Sequence, residues 1–213
     1  MGGEKIEDLP GESYYCPSQS KLEISRVSFA TKKITEEAIS LSRASWKNWS
    51  LKSVADRVSI VRKISQIMRE NRMALTALIS LEVGKNAVEA DADFCEAVDF
   101  CEYYADEMER LSKPIKMGDA LGENNQYSYR SKGPVAVISP WNFPLAILCG
   151  MTIAPLVAGN PVLLKPAEES SAIAEKFFNI LLEAGVPKEV VSFLPGKGEE
   201  VGEALVSSPH ISM

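Results

Sequence analysis

Histidine is nearly missing from this sequence of 213 residues. The single copy, His210, has no paired base-and-nucleophile context, so it reads as a loop residue and not as the usual helper of a nucleophile. Positive charge is also short. Twenty-three Lys and Arg face 29 Asp and Glu, a net charge of -6, and no basic stripe is present to displace counterions from a phosphate backbone. Nucleic-acid binding is therefore excluded. Cysteine is sparse. Cys16, Cys95, Cys101 and Cys149 follow no signal peptide, which favours a reducing, cytoplasmic setting over a disulfide framework. On a helix of 3.6 residues per turn, Cys95 and Cys101 stand roughly 240° apart. They cannot ligate one metal from a single face and read as core thiols, so no metal site is expected. Long apolar runs are missing too. The longest, Leu145 to Ala158, contains Gly150 and Pro155 and falls short of the about 20 residues that span a bilayer. Met1-Gly2 resembles the start of a myristoylation signal, but Ile6 stands where Ser or Thr is needed. No membrane partner is expected.

What is there is a globular balance, 46% hydrophobic and 24% charged, in a chain long enough to bury a core. Residues 1–30 are polar, broken by Pro10, Gly11 and Pro17, and read as an extended lead-in. Residues 31–120 read as a helical segment. Glu36 opens a helix behind Thr35 as N-cap, and the Trp46–Trp49 patch closes it, packing its indoles on the next helix. Ser53 with Asp56 opens a second, whose Val54, Val58, Val61, Ile64 and Met68 form one apolar stripe. A third run, Ala74 to Val83, stops at Gly84. A fourth covers Ala87 to Leu111. After a turn-rich break, Gln126 to Arg130 alternates with Tyr127 and Tyr129 on one face, a strand standing apart from the main sheet.

From Gly133 the pattern becomes β-α-β-α-β-α. Val135 to Ile138 is an uninterrupted apolar run, as in a parallel strand covered on both faces. A helix starts near Pro144, with Gly150, Ala154 and Ala158 as a smooth ridge. Val162–Lys165 is a second strand, Glu168–Ala184 a helix, Val190–Leu194 a third strand. Gly196-Lys197-Gly198 then precedes a helix carrying Val201, Leu205 and Val206, and Ile211–Met213 reads as the opening of a fourth strand. This alternation predicts an α/β fold with parallel strands and right-handed crossovers.

Ligands of open α/β sheets sit at the carboxyl ends of the strands. Three ends bring Trp141 and Asn142, Lys165 to Glu168, and Gly196 to Gly198 to one edge. Each has an ordinary reading alone: a turn residue, a strand-end charge, a carboxylate favoured at a helix N-terminus, a glycine turn. Together they suit a dinucleotide. A Lys ammonium and a Glu carboxylate can share ribose hydroxyls as donor and acceptor, and glycines before a helix let the backbone approach a pyrophosphate. The spacing Gly196-x-Gly198-x-x-x-Gly202 departs from the G-x-G-x-x-G fingerprint.

Pro140-Trp141-Asn142-Phe143-Pro144, Gly159-Asn160-Pro161, Lys165-Pro166-Ala167-Glu168, Glu183-Ala184-Gly185-Val186-Pro187 and Leu194-Pro195-Gly196-x-Gly198 resemble the aldehyde dehydrogenase superfamily in order and spacing. Phe143 to Ile147 and Glu96 to Phe100, followed by Tyr103-Tyr104-Ala105, resemble the branch that oxidises L-glutamate γ-semialdehyde, the Δ1-pyrroline-5-carboxylate dehydrogenases. The resemblance implies N-terminal helices followed by the first half of a Rossmann-like NAD-binding domain at 133–213, with an oligomerisation-arm strand at 121–132. In that family a cysteine thiolate attacks the aldehyde, hydride passes to NAD(P), and a glutamate-activated water hydrolyses the thioester. Asn142 would be the oxyanion donor. Lys165 and Glu168 would hold the adenosine ribose, Trp141 a cofactor phosphate, and backbone at Ser139 and Gly198 the cofactor. A carboxylate at Glu168 would repel a ribose 2′-phosphate, so NAD is the expected cofactor. Glu96 and Phe143 would position the substrate, although a solvated helix face also explains Glu96. The family's nucleophilic cysteine and general-base glutamate lie downstream of Met213, and none of the four cysteines matches the nucleophile's motif. The resemblance therefore implies a truncated domain, inactive alone, that self-associates or enters a homo-oligomer. Another aldehyde substrate, such as succinate semialdehyde, and a non-catalytic nucleotide-binding module remain open alternatives.

Overall fold

The fold is seen in a computed structural model, which describes residue 9 and residues 11–213. Met1, Gly2, Ile6 and Pro10 lie outside the described residues. The lead-in expectation is corrected at once: β1 (Gly11–Cys16) and β2 (Gln19–Ser28) pair as an antiparallel hairpin. Its pattern is faint because only Cys16 and Val27 are buried, and the register slips between Tyr14 and Cys16, as at a bulge. The hairpin leans on later helices, β1 on α3 (Arg72–Val83) and β2 on α6 (Ser171–Glu183).

Helix α1 runs Lys32–Leu51 and is capped by Thr31, whose Oγ1 accepts from Ile34 N at 3.3 Å. Thr35, the expected cap, is inside the helix and fully buried, and its hydroxyl bonds back to Thr31 O at 3.0 Å. The two indole N–H groups find partners far along the chain, and Trp49 joins the core that also holds Val58 and Val61 of the next helix. Trp49 Nε1 donates to Leu156 O at 3.0 Å and Trp46 Nε1 to Ser131 Oγ at 2.9 Å. Helix α2 (Val54–Glu70) starts as expected, with Asp56 N donating to Ser53 Oγ at 3.1 Å. α3 ends at Gly84 with φ 75°, the left-handed conformation that favours glycine. α4 (Ala87–Leu111) is capped by Asn86, whose Oδ1 accepts from Val88 N and Glu89 N at 3.0 Å each.

Ile115–Lys116 (β3) and Gln126–Tyr127 (β4) form a short antiparallel ribbon apart from the main sheet. The strand stops at Tyr127, before the expected Arg130, and Tyr129 lies beyond it, edge-on to Tyr127 with centroids 5.0 Å apart.

The main sheet has the order β5 (Val135–Ile138), β6 (Val162–Lys165), β7 (Val191–Phe193), all parallel, with Val135 opposite Val162 and Val162 opposite Val191. Side chains alternate across a strand. Val162 and Leu164 accordingly enter the core shared with α2–α4, α5 (Ala146–Val157) and α6, while Leu163 enters a second core with Ile39, Leu194, Val201 and Leu205. Both faces are covered, which is why the apolar runs show no polar alternation. α1 and α7 (Glu203–Val206) cover the second face, with a wide π-type turn at Gly198–Gly202 leading into α7. The expected fourth strand is not formed over Ile211–Met213, but two bonds lie along the outer edge of β5: Ser212 N donates to Pro134 O at 2.8 Å and Ala136 N to Met213 O at 2.9 Å.

Two buried charges fasten helix ends. Arg57 Nε donates to Val157 O at 2.8 Å at the end of α5. Glu82 accepts from Ala172 N at 2.6 Å and Ile173 N at 3.0 Å, capping α6, whose own Ser170 makes no side-chain cap bond.

Candidate functional site

The parallel register places Ile138 opposite Lys165 and Leu164 opposite Phe193, so three strands end on one edge. Two bonds carry the alignment past the strands: Ser139 N donates to Lys165 O at 3.2 Å, and Leu194 N to Leu164 O at 2.8 Å. Upstream, Asn160 steadies the entry into β5. Its Oδ1 accepts from Lys132 N at 2.7 Å and Gly133 N at 3.0 Å, and its Nδ2 donates to Pro155 O at 3.1 Å.

At the β6 end Lys165 is buried, its side chain 6% exposed. Nζ donates to Glu168 Oε1 at 2.8 Å and to Pro166 O at 3.1 Å. A solvated strand-end charge would not be buried this way. The pair instead offers one donor and one acceptor edge held at fixed separation. Ser139 is buried beside it, and its Oγ has no hydrogen-bond partner among the described residues. Ser25, Ser42, Thr76 and Ser192 share this property, but Ser139 stands at the strand ends, where a ligand's polar atom would satisfy it. At the β7 end, a Cβ built on Gly198 would meet nothing within 4 Å, so that backbone faces open space. Gly196 has a different role: a Cβ there would lie 2.5 Å from Val201 Cγ2, and glycine is needed for packing.

Trp141, Asn142 and Phe143 follow β5 as exposed residues, and Asn142 has no side-chain hydrogen bond among the described residues. The segment is held by groups the sequence reading missed. α5 begins at Ala146, two residues later than expected, and its N–H at Ala146 donates to Asp93 Oδ1 at 2.7 Å. Asp93 Oδ2 takes Lys85 Nζ at 2.6 Å, and that ammonium sits 3.9 Å from the centroid of the Phe143 ring. The available signal was Asp93 itself, a lone carboxylate on the buried stripe of α4 with Ala90, Phe94 and Ala97. Glu96 lies one turn further along α4, exposed and without a partner among the described residues. The structure thus brings Ser139, Lys165, Glu168 and Gly198 to one edge, with Trp141, Asn142 and Phe143 at the β5 tip. Glu96 stays on the neighbouring helix.

None of the thiols belongs to this edge. Cys101 and Cys149 are fully buried with sulfurs 3.5 Å apart, where α4 crosses α5. Burial, and then the neighbouring Cys101, push the Cys149 thiol well up from its ordinary range, the opposite of a nucleophile's need. Cys16 sits in the hairpin and Cys95 on α4. No group of three or more potential metal ligands occurs among the described residues, and none of their helices is long and apolar enough to cross a membrane.

Fold and edge geometry define an α/β protein whose parallel strands end together on one edge, the edge at which open sheets of this kind hold ligands. The chain belongs to the aldehyde dehydrogenase family, whose pattern matches residues 10–213. It is 43% identical to a 1-pyrroline-5-carboxylate dehydrogenase of Oceanobacillus iheyensis over 97% of this chain and 40% of that protein. To 1-pyrroline-5-carboxylate dehydrogenase 2 of Bacillus subtilis it is 40% identical over 100% of this chain and 41% of that one. Among solved structures, a Thermus 1-pyrroline-5-carboxylate dehydrogenase with bound NAD superposes with a TM-score of 0.96 at 40% identity, covering 99% of this chain and 41% of that one. Proline utilization A from Bdellovibrio bacteriovorus gives 0.96 at 41% identity, over 99% of this chain and 22% of that one. The chain thus spans about two fifths of the length of the curated relatives it matches.

Proposed function

We propose that this chain forms the N-terminal part of an NAD-dependent dehydrogenase that oxidises L-glutamate γ-semialdehyde, the open form of Δ1-pyrroline-5-carboxylate, to L-glutamate in proline breakdown. The observation that carries this reading is the buried Lys165 ammonium paired with Glu168 at the strand end to which Ser139 N bonds, in a chain whose relatives are named pyrroline-5-carboxylate dehydrogenases.

The residues present suit a dinucleotide. Glu168 accepts from a ribose hydroxyl and Lys165 donates to one. Ser139 and the open backbone at Gly198 receive the rest of the cofactor, and Trp141 stands by as a contact for a phosphate. Bound there, NAD supplies the hydride acceptor. The amide of Asn142, free of intramolecular bonds, donates to the aldehyde oxygen as negative charge develops on it. Phe143 offers an apolar wall to the substrate's aliphatic chain, and Glu96 an acceptor for its ammonium.

The nucleophile is not among these residues. The buried, protonated Cys149 cannot serve, and the other cysteines lie on different elements, so the chain by itself should not turn over. NADH formation is the test. An enzyme of full family length carrying these residues should reduce NAD with glutamate semialdehyde in preference to succinate semialdehyde, and the isolated chain should form none. Preference for succinate semialdehyde would overturn the substrate assignment.

A further inference from the structure

The carboxyl edge of the sheet has a second wall, the N-terminal hairpin. Glu12 of β1 reaches the turn that follows β7, where its Oε1 lies 3.0 Å from Lys197 Nζ, the two side chains 54% and 50% exposed. The same turn is fastened to the segment leaving the hairpin: Ala30 N donates to Pro195 O at 2.7 Å, and Lys32 N to Glu200 Oε1 at 3.0 Å. Because β6 and β7 are neighbours, this turn emerges one strand spacing, about 4.8 Å, from the end that carries Lys165 and Glu168. The electrostatics agree. Tyr14 is two residues beyond Glu12 and so on its face of β1. Its phenol is pushed up to about 12 by partial burial, with Glu12, Glu168 and Glu169 adding to it. The Lys197 ammonium is favoured first by its bond to Glu12, with Glu199 and Glu168 contributing through space. Glu12, Lys197 and Glu168 therefore share one local field.

We propose that Glu12 is a positioning residue for cofactor selection, holding Lys197 on the hairpin side of the crevice and away from the 2′ edge of the adenosine ribose. This rests on the reading of Lys165 and Glu168 as the ribose site. Glu168 alone is a weak barrier to a 2′-phosphate, since the Lys165 ammonium 2.8 Å away offsets much of its charge. A lysine on a flexible stem nearby would offset it by a charge-assisted bond to the phosphate. The ion pair with Glu12 occupies that lysine and cancels its charge. Neutralising Glu12 releases the cation. The pair is exposed and contributes little to folding, so the hairpin stays in place.

The test is calorimetric titration of NAD and NADP into an enzyme of full family length carrying this chain, as wild type, E12Q, E12D and E12Q/K197Q. E12Q should tighten NADP roughly tenfold, the scale of one charge-assisted hydrogen bond, and leave NAD within about twofold. E12D should restore the wild-type ratio, and E12Q/K197Q should lose the gain. A purely structural role for Glu12 would weaken both cofactors together and would overturn the proposal. So would an unchanged ratio in E12Q, or a gain that survives K197Q. Wild type that binds NAD while E12Q keeps the ratio removes the Glu12 inference alone; wild type that binds neither cofactor removes the ribose reading with it.

Discussion

Asn142 is placed by residues other than itself. The Trp141–Phe143 segment is exposed, and its restraints are the Asp93 bond to Ala146 N and the Lys85 ammonium over Phe143. With Asn142 as the proposed oxyanion donor, removing it and removing its support should have different signatures. Asn142→Ala in the full-length enzyme should lower kcat about 10²- to 10³-fold and leave the Kd for NAD unchanged, by steady-state kinetics and calorimetry. Asp93→Ala strands a half-buried lysine, its side chain 14% exposed, and a helix N–H, a loss of about 3 kcal/mol, the lower end for breaking a buried pair, so it should lower the thermal midpoint as well as kcat. A second buried carboxylate sets a pH dependence. Burial pushes Glu82 up from its ordinary 4.5 to about 7, against the pull of the Ile173 and Ala172 N–H groups. Between those values the folded chain holds a proton that the unfolded chain has released. The stabilisation is therefore full below about pH 4.5 and is lost as pH rises through about 7, roughly 3 kcal/mol in all. Thermal midpoints of wild type and E82Q across that window should converge in slope to the flatter E82Q line above pH 7. Parallel lines throughout would show that Glu82 does not titrate there.

Elements with a local signature were legible in the sequence, and those positioned by distant partners were not. The buried runs of β5, β6 and β7 announced themselves, as did the Ser53 cap, the Gly84 stop and the whole of α4, because each is decided by neighbours in the chain. The hairpin was hidden because it buries so little of itself and depends on α3 and α6. The start of α5 was misjudged because its capping acceptor is Asp93, and the choice between Thr31 and Thr35 turned on packing that buries Thr35. The site divides the same way. Strand-end groups follow from parallel topology, whereas Lys85, Asp93, Glu82 and the Glu12–Lys197 pair join segments with no local motif to link them. The α4–α5 crossing shows a feature that was half legible. The small-residue ridge was visible, but its partner was not: a Cβ on Gly150 would stand 3.0 Å from the Phe100 ring. Gly150→Ala gains about 1 kcal/mol of helix propensity and loses a comparable amount to that contact, so its midpoint should hardly move. Gly150→Val adds branches the ring cannot clear and should destabilise by about 1–3 kcal/mol, read from urea midpoints of the same enzyme.

At the scale of the whole molecule, the outer edge of β5 and the β3–β4 ribbon carry exposed apolar side chains. Among the described residues the outer edge of β5 is bonded only near its start, by Ser212 and Met213, and Ile138, Trp141 and Met213 are exposed around it, at 40%, 54% and 62%. The β3–β4 ribbon stands apart from the sheet with Ile115, Tyr127 and Tyr129 exposed at 53%, 47% and 55%, and a two-stranded ribbon of this size is marginal without a partner. Open strands with apolar flanks pair with other chains unless charge or proline blocks them. The isolated chain of 213 residues should therefore associate, and light scattering after size exclusion should give masses above one chain at micromolar concentration. The route is separable by mutation. If the sheet edge dominates, Ile138→Lys should restore a monomer and Tyr127→Ser should not; if the ribbon dominates, the order reverses. Net charge opposes association, since a chain at -6 repels its copies, and raising the salt should strengthen whichever contact forms. A wild-type chain that stays monomeric in high salt would mean that its strand edges are already blocked.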